Sequence, residues 1–539
     1  MKKKRLLSLA LAACMVCAMF SGCSSDSSSE ASSAGAGSSA AAPEDITFPL
    51  AEPVTINVML PNVANIKDPG ALEFFQQREA ATNVKIEWET VPTGWTERKS
   101  LMFAAGQVPD AIFSAKAFTN ADVIKNASFF EPLEGYIDQY CPNIKKMFEE
   151  RPDLKKNVTA ADGHIYALPQ VMPLRPETRN IMFINQDWLD AVGMSMPETT
   201  DEFYEVLKAF KTQDPNGNGQ ADEIPFIFDG IKPANGITSL FGAFGLSENT
   251  TGDWVMVENG KVSYMMADER LKDAVNYANK LYSEGLIDQE VFTQTVSQMN
   301  GKLRSAEIAT VGCGYGWTIE ASMNNAERAA QYTELPPLKG PNGDQLWRPS
   351  TVMSGDNVAF LMSKNNPHKE ITMKWIDQFY DPEIGIQLYF GPVGTCLEIG
   401  EDGKYTILPP PADSGMTEDA WMWKNGLNDR SPIYISEEFE QKINWNNWVS
   451  EKLDADAVYA PYAAKVEELP PSLQYSKEEV SELNTIQAEL TNFSNQKVAQ
   501  WIVNGNIEEE WEDYQKQLEM IGMPRMLEII QGAYDRYKA

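Results

Sequence analysis

The chain has 539 residues, 77 of them acidic against 45 basic, for a formal net charge of −32. A single core rarely grows past ~250–300 residues, so at least two lobes are expected. The acidic excess repels phosphate backbones and excludes nucleic acid as a partner. An aromatic content of 10% excludes a disordered acidic chain. The only two histidines, His164 and His368, lie far apart in sequence, which excludes an HExxH zinc site.

Lys2, Lys3, Lys4 and Arg5 form a basic head, Leu6 to Phe20 an apolar run, and Ser21-Gly22-Cys23 a small-residue end. The run is short for a spanning helix, and residues 1–22 read as a secretory signal peptide. The stretch Phe20-Ser21-Gly22-Cys23 resembles a bacterial lipobox, which makes Cys23 the lipidated first residue of the mature chain; Phe20 stands where that pattern usually has Leu. Residues 24–43 are almost entirely Ser, Ala and Gly. They cannot bury a core, so 23–50 is expected to be a flexible tether holding a domain at the extracellular face of the cell membrane. Cys14 and Cys17 leave with the signal. Cys141, Cys313 and Cys396 are too widely spaced for a disulfide framework or a CxxC metal site. They are expected to be buried small residues, with a bridge between two of them left open.

In chain order, Val54 to Leu60 predicts a strand, Ala71 to Thr82 a helix and Val84 to Trp88 an alternating strand. Trp95 to Ala105 follows as a helix ended by Gly106, and Pro109 to Phe113 as a short strand. Strand and helix alternating at this spacing predict a parallel sheet of α/β type. Ligands of such sheets bind beyond the carboxyl ends of the strands. Asn62, Trp95, Asp110 and Phe113 are therefore candidate binding residues. Ala161 to Pro169 reads as a turn into a strand, and Ile181 to Asn185 as another strand. Thr200 to Lys211 reads as a helix with a Thr cap and one apolar face of Phe203, Val206, Leu207 and Phe210. Ala267 to Glu284 predicts a helix, Asp356 to Leu361 a strand, and Pro367 to Tyr380 and Asp381 to Tyr389 helices. Ile507 to Tyr537 predicts helix with a break at Gly522-Met523-Pro524.

The sharpest motif is Asp214-Pro215-Asn216-Gly217-Asn218-Gly219-Gln220-Ala221-Asp222-Glu223. Oxygen side chains at loop positions 1, 3 and 5 converge, Gly219 at position 6 allows the sharp turn, and Gln220 offers a backbone carbonyl. Asp222 adds a carboxylate, which together matches the first half of an EF-hand loop for Ca²⁺. Pro225 stands where that loop ends on Glu, and Glu223 is the substitute. The expected ligands are Asp214, Asn216, Asn218, Gln220, Asp222 and Glu223. The bland alternative is a polar Asn-Gly surface turn. A cation that offsets three carboxylates in one loop is expected to be structural, stabilising the lobe without touching ligand.

Several landmarks in order carry a resemblance. They are Gly106 to Asp110, Asp162-Gly163 to Pro169, Ile184 to Leu189, Tyr282 to Asp288, and the Trp511 to Tyr537 tail. Together they resemble a lipid-anchored extracellular solute-binding protein of an ABC importer, of the large calcium-containing carbohydrate-binding branch that includes alginate-oligosaccharide binders. The resemblance runs from about Val54 to the end. It implies a periplasmic-binding-protein-like fold: two α/β lobes with parallel-type sheets, joined by crossing hinge strands, with the ligand cleft between them. The partners it implies are ABC permease subunits and an oligosaccharide or small-molecule ligand, with a monomer expected. The lobes are expected as 51–170 plus 346–395, and 171–345 plus 396–539.

Sugars present apolar C–H faces and a rim of hydroxyls, which flat aromatics and polar side chains recognise. Gly312 to Thr318 follows a strand-like Ile308 to Val311, and its glycines would present Trp317 on a loop. Trp421 and Trp423 lie in a Pro- and Gly-rich region, and Trp347-Arg348 precedes the Asp356 strand. Each tryptophan has the alternative of a core role, which is the reading for Trp188, Trp375, Trp501 and Trp511. A glycoside hydrolase is a competing function and needs a carboxylate pair ~5–10 Å apart on a cleft wall. A peptide or other non-sugar ligand is another, and a calcium-dependent adhesin would normally show repeats, of which none are visible. No GxSxG, P-loop or GxGxxG is present.

Overall fold

The computed structural model describes residues 46–538 apart from 62–65, 67, 173–179, 248–252, 305–307, 349–354, 417, 446 and 471–472. The expected signal, Cys23, most of the tether and Asn62 lie outside the described residues. The strands of the first half are β1 (Val54–Pro61), β2 (Val84–Val91), β3 (Ala111–Phe113), β4 (Ala167–Val171), β5 (Ile181–Asn185), β6 (Ile224–Phe226), β7 (Val255–Glu258) and β8 (Lys261–Tyr264). Those of the second half are β9 (Val311–Gly316), β10 (Tyr332–Leu335), β11 (Gly355–Met362), β12 (Leu397–Ile399), β13 (Tyr405–Ile407) and β14 (Ile443–Asn444).

Two sheets organise the molecule. The first runs β2-β1-β3-β11-β4, with β1 parallel to both β2 and β3, and β11 antiparallel to β3 and β4. Its strands alternate sides as a two-residue repeat requires. Ile56, Val58, Leu60 and Phe113 face one apolar core, while Met59 and Ile112 face another made with Trp95, Met102 and Phe118. The second sheet runs β10-β5-β9-β6, with β5 antiparallel to β9 and β10 and β6 parallel to β9. Both are α/β sheets with helices against them, and each has its own core. The chain passes from the first sheet to the second between β4 and β5, returns between β10 and β11, and leaves again between β14 and the helix Asn447–Ala463.

Most predicted elements form where local chemistry placed them. The helix Trp95–Ala105 ends on left-handed Gly106, whose N–H returns to Met102 and Phe103. Thr199 and Glu202 make a reciprocal capping box for the helix Thr200–Thr212. Gly522, at φ 119°, separates the helices Ile507–Ile521 and Met523–Lys538. Cys141, Cys313 and Cys396 are buried free thiols.

The segment after Cys396 departs from the expected partition. Leu397, Tyr405, Ile407, Met422, Leu427, Ile433 and Ile443 pack in the core of the first sheet. Residues 396–445 therefore belong with the first lobe, because β12, β13 and β14 form a small sheet that buries its apolar side there. From the helix Asn447–Ala463 onward the chain joins the second core, through Ala455 and Tyr459 and then the long helix Lys477–Asn504. The lobes also touch at the C-terminus. Lys156 Nζ donates to Tyr537 O at 2.5 Å, and Gln474 Nε2 to Asn157 O at 3.1 Å.

Candidate functional site

The carboxyl ends of β1 and β3, the end of β4 and the start of β11 lie along one edge of the first sheet. In the second sheet the corresponding edge carries Ile181, Leu335 and Gly316: Ile181 pairs with Gly316 and Met182 with Leu335. The first two crossings, β4 to β5 and β10 to β11, leave from these two edges, so the edges face the hinge. Trp317 follows Gly316 directly and is partly exposed there.

The glycine-rich run before it differs from its expected form. Gly312 to Gly316 is not a loop after a strand but the strand β9 itself, buried throughout. A Cβ on Gly312 would stand 2.6 Å from the Phe210 ring and 2.8 Å from Pro225 O; one on Gly314 would stand 2.8 Å from the Phe183 ring. Gly312 and Gly314, two residues apart, face the same side of the strand, and the missing side chains leave room there for the Phe210 and Phe183 rings. Thr318 then caps the short helix Ile319–Met323 by accepting from Ala321 N at 3.1 Å. Trp317 is thus fixed between a rigid strand and a capped helix.

Trp347 donates Nε1–H to Asn180 O at 3.0 Å and packs on Tyr459 at 4.8 Å between centroids. At 4% exposed it belongs to the core that carries the hinge edge, and Arg348 beside it is also buried. Tyr459, which no sequence signal marked, accepts from Met182 N at 2.9 Å and donates toward the carbonyls of Met182 and Leu335. Trp421 and Trp423 lie on the helix Glu418–Asn425: Trp421 is buried, with Lys424 Nζ 5.2 Å from its ring, and Trp423 is half-buried against the first core. Burial first, then Glu320 on the short helix after Trp317, raises the pKa of Glu418. The first-lobe helix thus comes within electrostatic reach of the second-lobe edge.

The remaining first-lobe candidates are placed differently. Phe113 has no exposed surface and stacks edge-on against Trp88 at 5.3 Å. It stands at the carboxyl end of β3, but its side chain takes the inward side of the pleat. Asp110 sits at the amino end of β3, away from the hinge edge, where Oδ2 accepts from Asn57 N and Nδ2, both at 2.9 Å. Trp95 is buried, with Nε1–H bonded to Ala117 O at 2.7 Å. These three serve the core and the strand ends of the first lobe.

Glu451 and Lys452, on the helix Asn447–Ala463, were not singled out in the sequence. Glu451 Oε1 accepts from Glu320 N at 3.2 Å. Lys452 Nζ lies 4.6 Å from the Trp317 ring centroid. Burial pulls the Lys452 ammonium down to a pKa of about 8, with Asp456 and Glu451 acting in the other direction.

In the 214–223 loop, Asp214 Oδ1 and Oδ2 accept from Asn218 N and Gly219 N at 3.2 and 3.0 Å. Asn216 Oδ1 accepts from Asn218 N at 3.0 Å and Asn218 Oδ1 from Gln220 N at 2.7 Å. Gly217 and Gly219 take left-handed φ of 67° and 74°. The side chains at positions 1, 3 and 5 are thereby turned into the loop, and both amides also reach Asp222. Among the described residues no three carboxylate, imidazole or thiol groups form a metal-holding cluster. The donor set of the loop mixes carboxylates with amide and main-chain oxygens. Glu223 Oε1 is buried without a hydrogen-bond partner among the described residues. Burial, followed by Asp222 and Asp214, raises the pKa of its carboxyl. An orphaned carboxylate oxygen beside two other acids fits a hard cation.

The sequence pattern of the bacterial extracellular solute-binding protein family matches residues 64–386. The fructooligosaccharide ABC transporter substrate-binding protein FusA of Streptococcus pneumoniae is 32% identical over 517 residues, spanning 92% of this chain and 93% of its own length. Lipoprotein LipO of Bacillus subtilis is 28% identical over 459 residues, 82% of each chain. The structure of FusA in complex with kestose superposes with a TM-score of 0.80 at 30% identity, covering 90% of this chain and 99% of that one. An EF-hand mutant of FusA bound to fructo-nystose has been solved and superposes equally well. The HMO-binding ABC-transporter-associated solute-binding protein of Bifidobacterium longum infantis superposes with a TM-score of 0.82 at 28% identity, with coverage of 90% and 99%.

Proposed function

The chain belongs to the bacterial extracellular solute-binding protein family and is the carbohydrate-capturing, substrate-binding component of an ABC transporter; on that premise we propose that its ligand is a fructooligosaccharide held between the two hinge-facing edges. The observation that carries this reading is Trp317. It is a partly exposed aromatic, fixed by a buried strand at the hinge edge, in a chain that matches FusA over nearly its full length. Its ring covers the apolar face of a sugar, and the helix bearing Trp421 and Trp423 approaches from the other lobe. Trp423, half-buried, is the better ligand contact of that pair.

The protein binds without turnover, as the relatives named above are binding proteins. Delivery is to the permease of the same transporter, and the protein acts as a monomer. Lipid on Cys23 holds it to the outer face of the membrane, a reading supported by the lipobox-like Phe20 to Cys23 and by the lipoprotein relative. Among the described residues no helix is long and apolar enough to cross a membrane. Cys23→Ser should abolish incorporation of a fatty-acid analogue; label retained in that variant counts against the anchor. The 214–223 loop holds Ca²⁺ through Asp214, Asn216, Asn218, Asp222, Glu223 and the Gln220 carbonyl. Bound there, the ion neutralises the loop's acids, and the chain's own contribution is the inward turn of those side chains.

Calorimetry with kestose tests the main reading. Trp317→Ala should weaken binding ten- to a hundred-fold, about 1.4–2.7 kcal/mol, with little change in the ligand-free melt. Kestose recovered as smaller sugars would favour a hydrolase, and no heat with kestose but heat with another oligosaccharide would move the ligand within the carbohydrate class.

A further inference from the structure

Trp317 does not orient itself. The strand before it fixes its backbone, but its ring lies against the helix Asn447–Ala463, the first element of the second lobe after the last crossing. Two successive side chains of that helix meet the Trp317 segment. Glu451 holds the start of the next helix by accepting from Glu320 N. Lys452 places its ammonium 4.6 Å from the Trp317 centroid. Lys452 is 2% exposed, and its Nζ has no hydrogen-bond partner among the described residues. A desolvated ammonium without a hydrogen bond is costly, and the ring face is what it meets. Such a contact is strong when water is excluded. The helix delivers the ammonium to the ring.

We propose that Lys452 and Glu451 are positioning residues that fix the Trp317 ring for stacking on sugar, one through a cation–π contact on the ring and the other through the backbone that follows it. This rests on the reading of Trp317 as a sugar contact. It adds that the ring's orientation is set by the helix entered at the last crossing between lobes, and not by β9 alone. Neither residue needs to touch ligand.

The test uses the full chain labelled with 5-fluorotryptophan, the Trp317 resonance being the fluorine signal missing from Trp317→Phe. Lys452→Met keeps an apolar chain of similar length, so the buried site remains filled. It should shift the Trp317 resonance in the absence of any sugar, and Lys452→Arg should return it towards the wild-type position. With kestose as the probe, Lys452→Met should weaken binding by about tenfold. In a Trp317→Ala background the same change should cost nothing further, because the ring it positions is gone. If Lys452→Met does not accumulate as folded protein, Glu451→Gln serves in its place, retaining side-chain size and shifting the same resonance. A Trp317 resonance unmoved by either variant overturns the proposal, as does a loss of kestose binding that persists undiminished in the Trp317→Ala background. If the wild type gives no heat with kestose, the fluorine measurement alone decides the positioning role, and it is the ligand reading that fails.

Discussion

Two glycine-rich stretches sit in the same lobe and use glycine for opposite reasons. In the 214–223 loop, Gly217 and Gly219 have left-handed backbones, and nothing lies within 4 Å of where a Cβ would stand. In β9, Gly312 and Gly314 belong to an ordinary strand, and a Cβ would meet aromatic rings and a carbonyl. The first stretch needs backbone freedom and the second needs space. A glycine count cannot tell them apart, and only the second is bound to the packing of its surroundings.

The largest expected effect lies on the side of space. Gly312→Ala should destabilise the second lobe by about 3 kcal/mol, the upper end for overpacking, because Pro225 O is backbone and cannot step aside. Chemical denaturation followed by tryptophan fluorescence measures it; a variant within error of wild type would mean that β9 is loosely packed. Next comes the loop as a whole. Exhaustive chelation should lower the melting temperature of the wild type, with about 2.7 kcal/mol lost if the ion had been present at 100 times its Kd. Asp214→Ala should reproduce that loss and respond little to chelator. A melt unmoved after verified metal removal would leave the loop as a polar turn. The smallest effect is Gly219→Ala, about 1 kcal/mol from backbone strain alone. The comparison is sharpest if Gly312→Ala is indifferent to chelator while Gly219→Ala weakens calcium binding, and it breaks if both respond alike.

Legibility in the sequence followed the range of the interaction. The Thr cap, the glycine stop at Gly106 and the break at Gly522 are settled within a few residues, and the structure places them there, choosing Thr199 over Thr200 as the cap. Trp317 stands out because it follows a run of alternating glycines, although such a run reads as a loop. What marks it as a strand is Val311 to Gly316 with small residues at the alternate positions where large rings pack. Phe113 and Asp110 misled because position at a strand end was visible, whereas the side of the pleat and the partner were not: Phe113 turns inward to Trp88, and Asp110 is held by Asn57 on a neighbouring strand.

The sequence by itself determined the parallel core of the first sheet, the helix ends and the oxygen pattern of the 214–223 loop, since each depends on residues within one turn, one strand or one loop. Only the tertiary structure decided that 396–445 packs with the first sheet, that Trp347 is core and that Glu451 and Lys452 meet the Trp317 segment. Lys452 lies more than a hundred residues beyond the ring it covers, on a helix that no local motif ties to Trp317. Burial and long-range pairing are properties of how distant segments meet, and a charged residue carries the same local signature whether water or an indole ring stands opposite it.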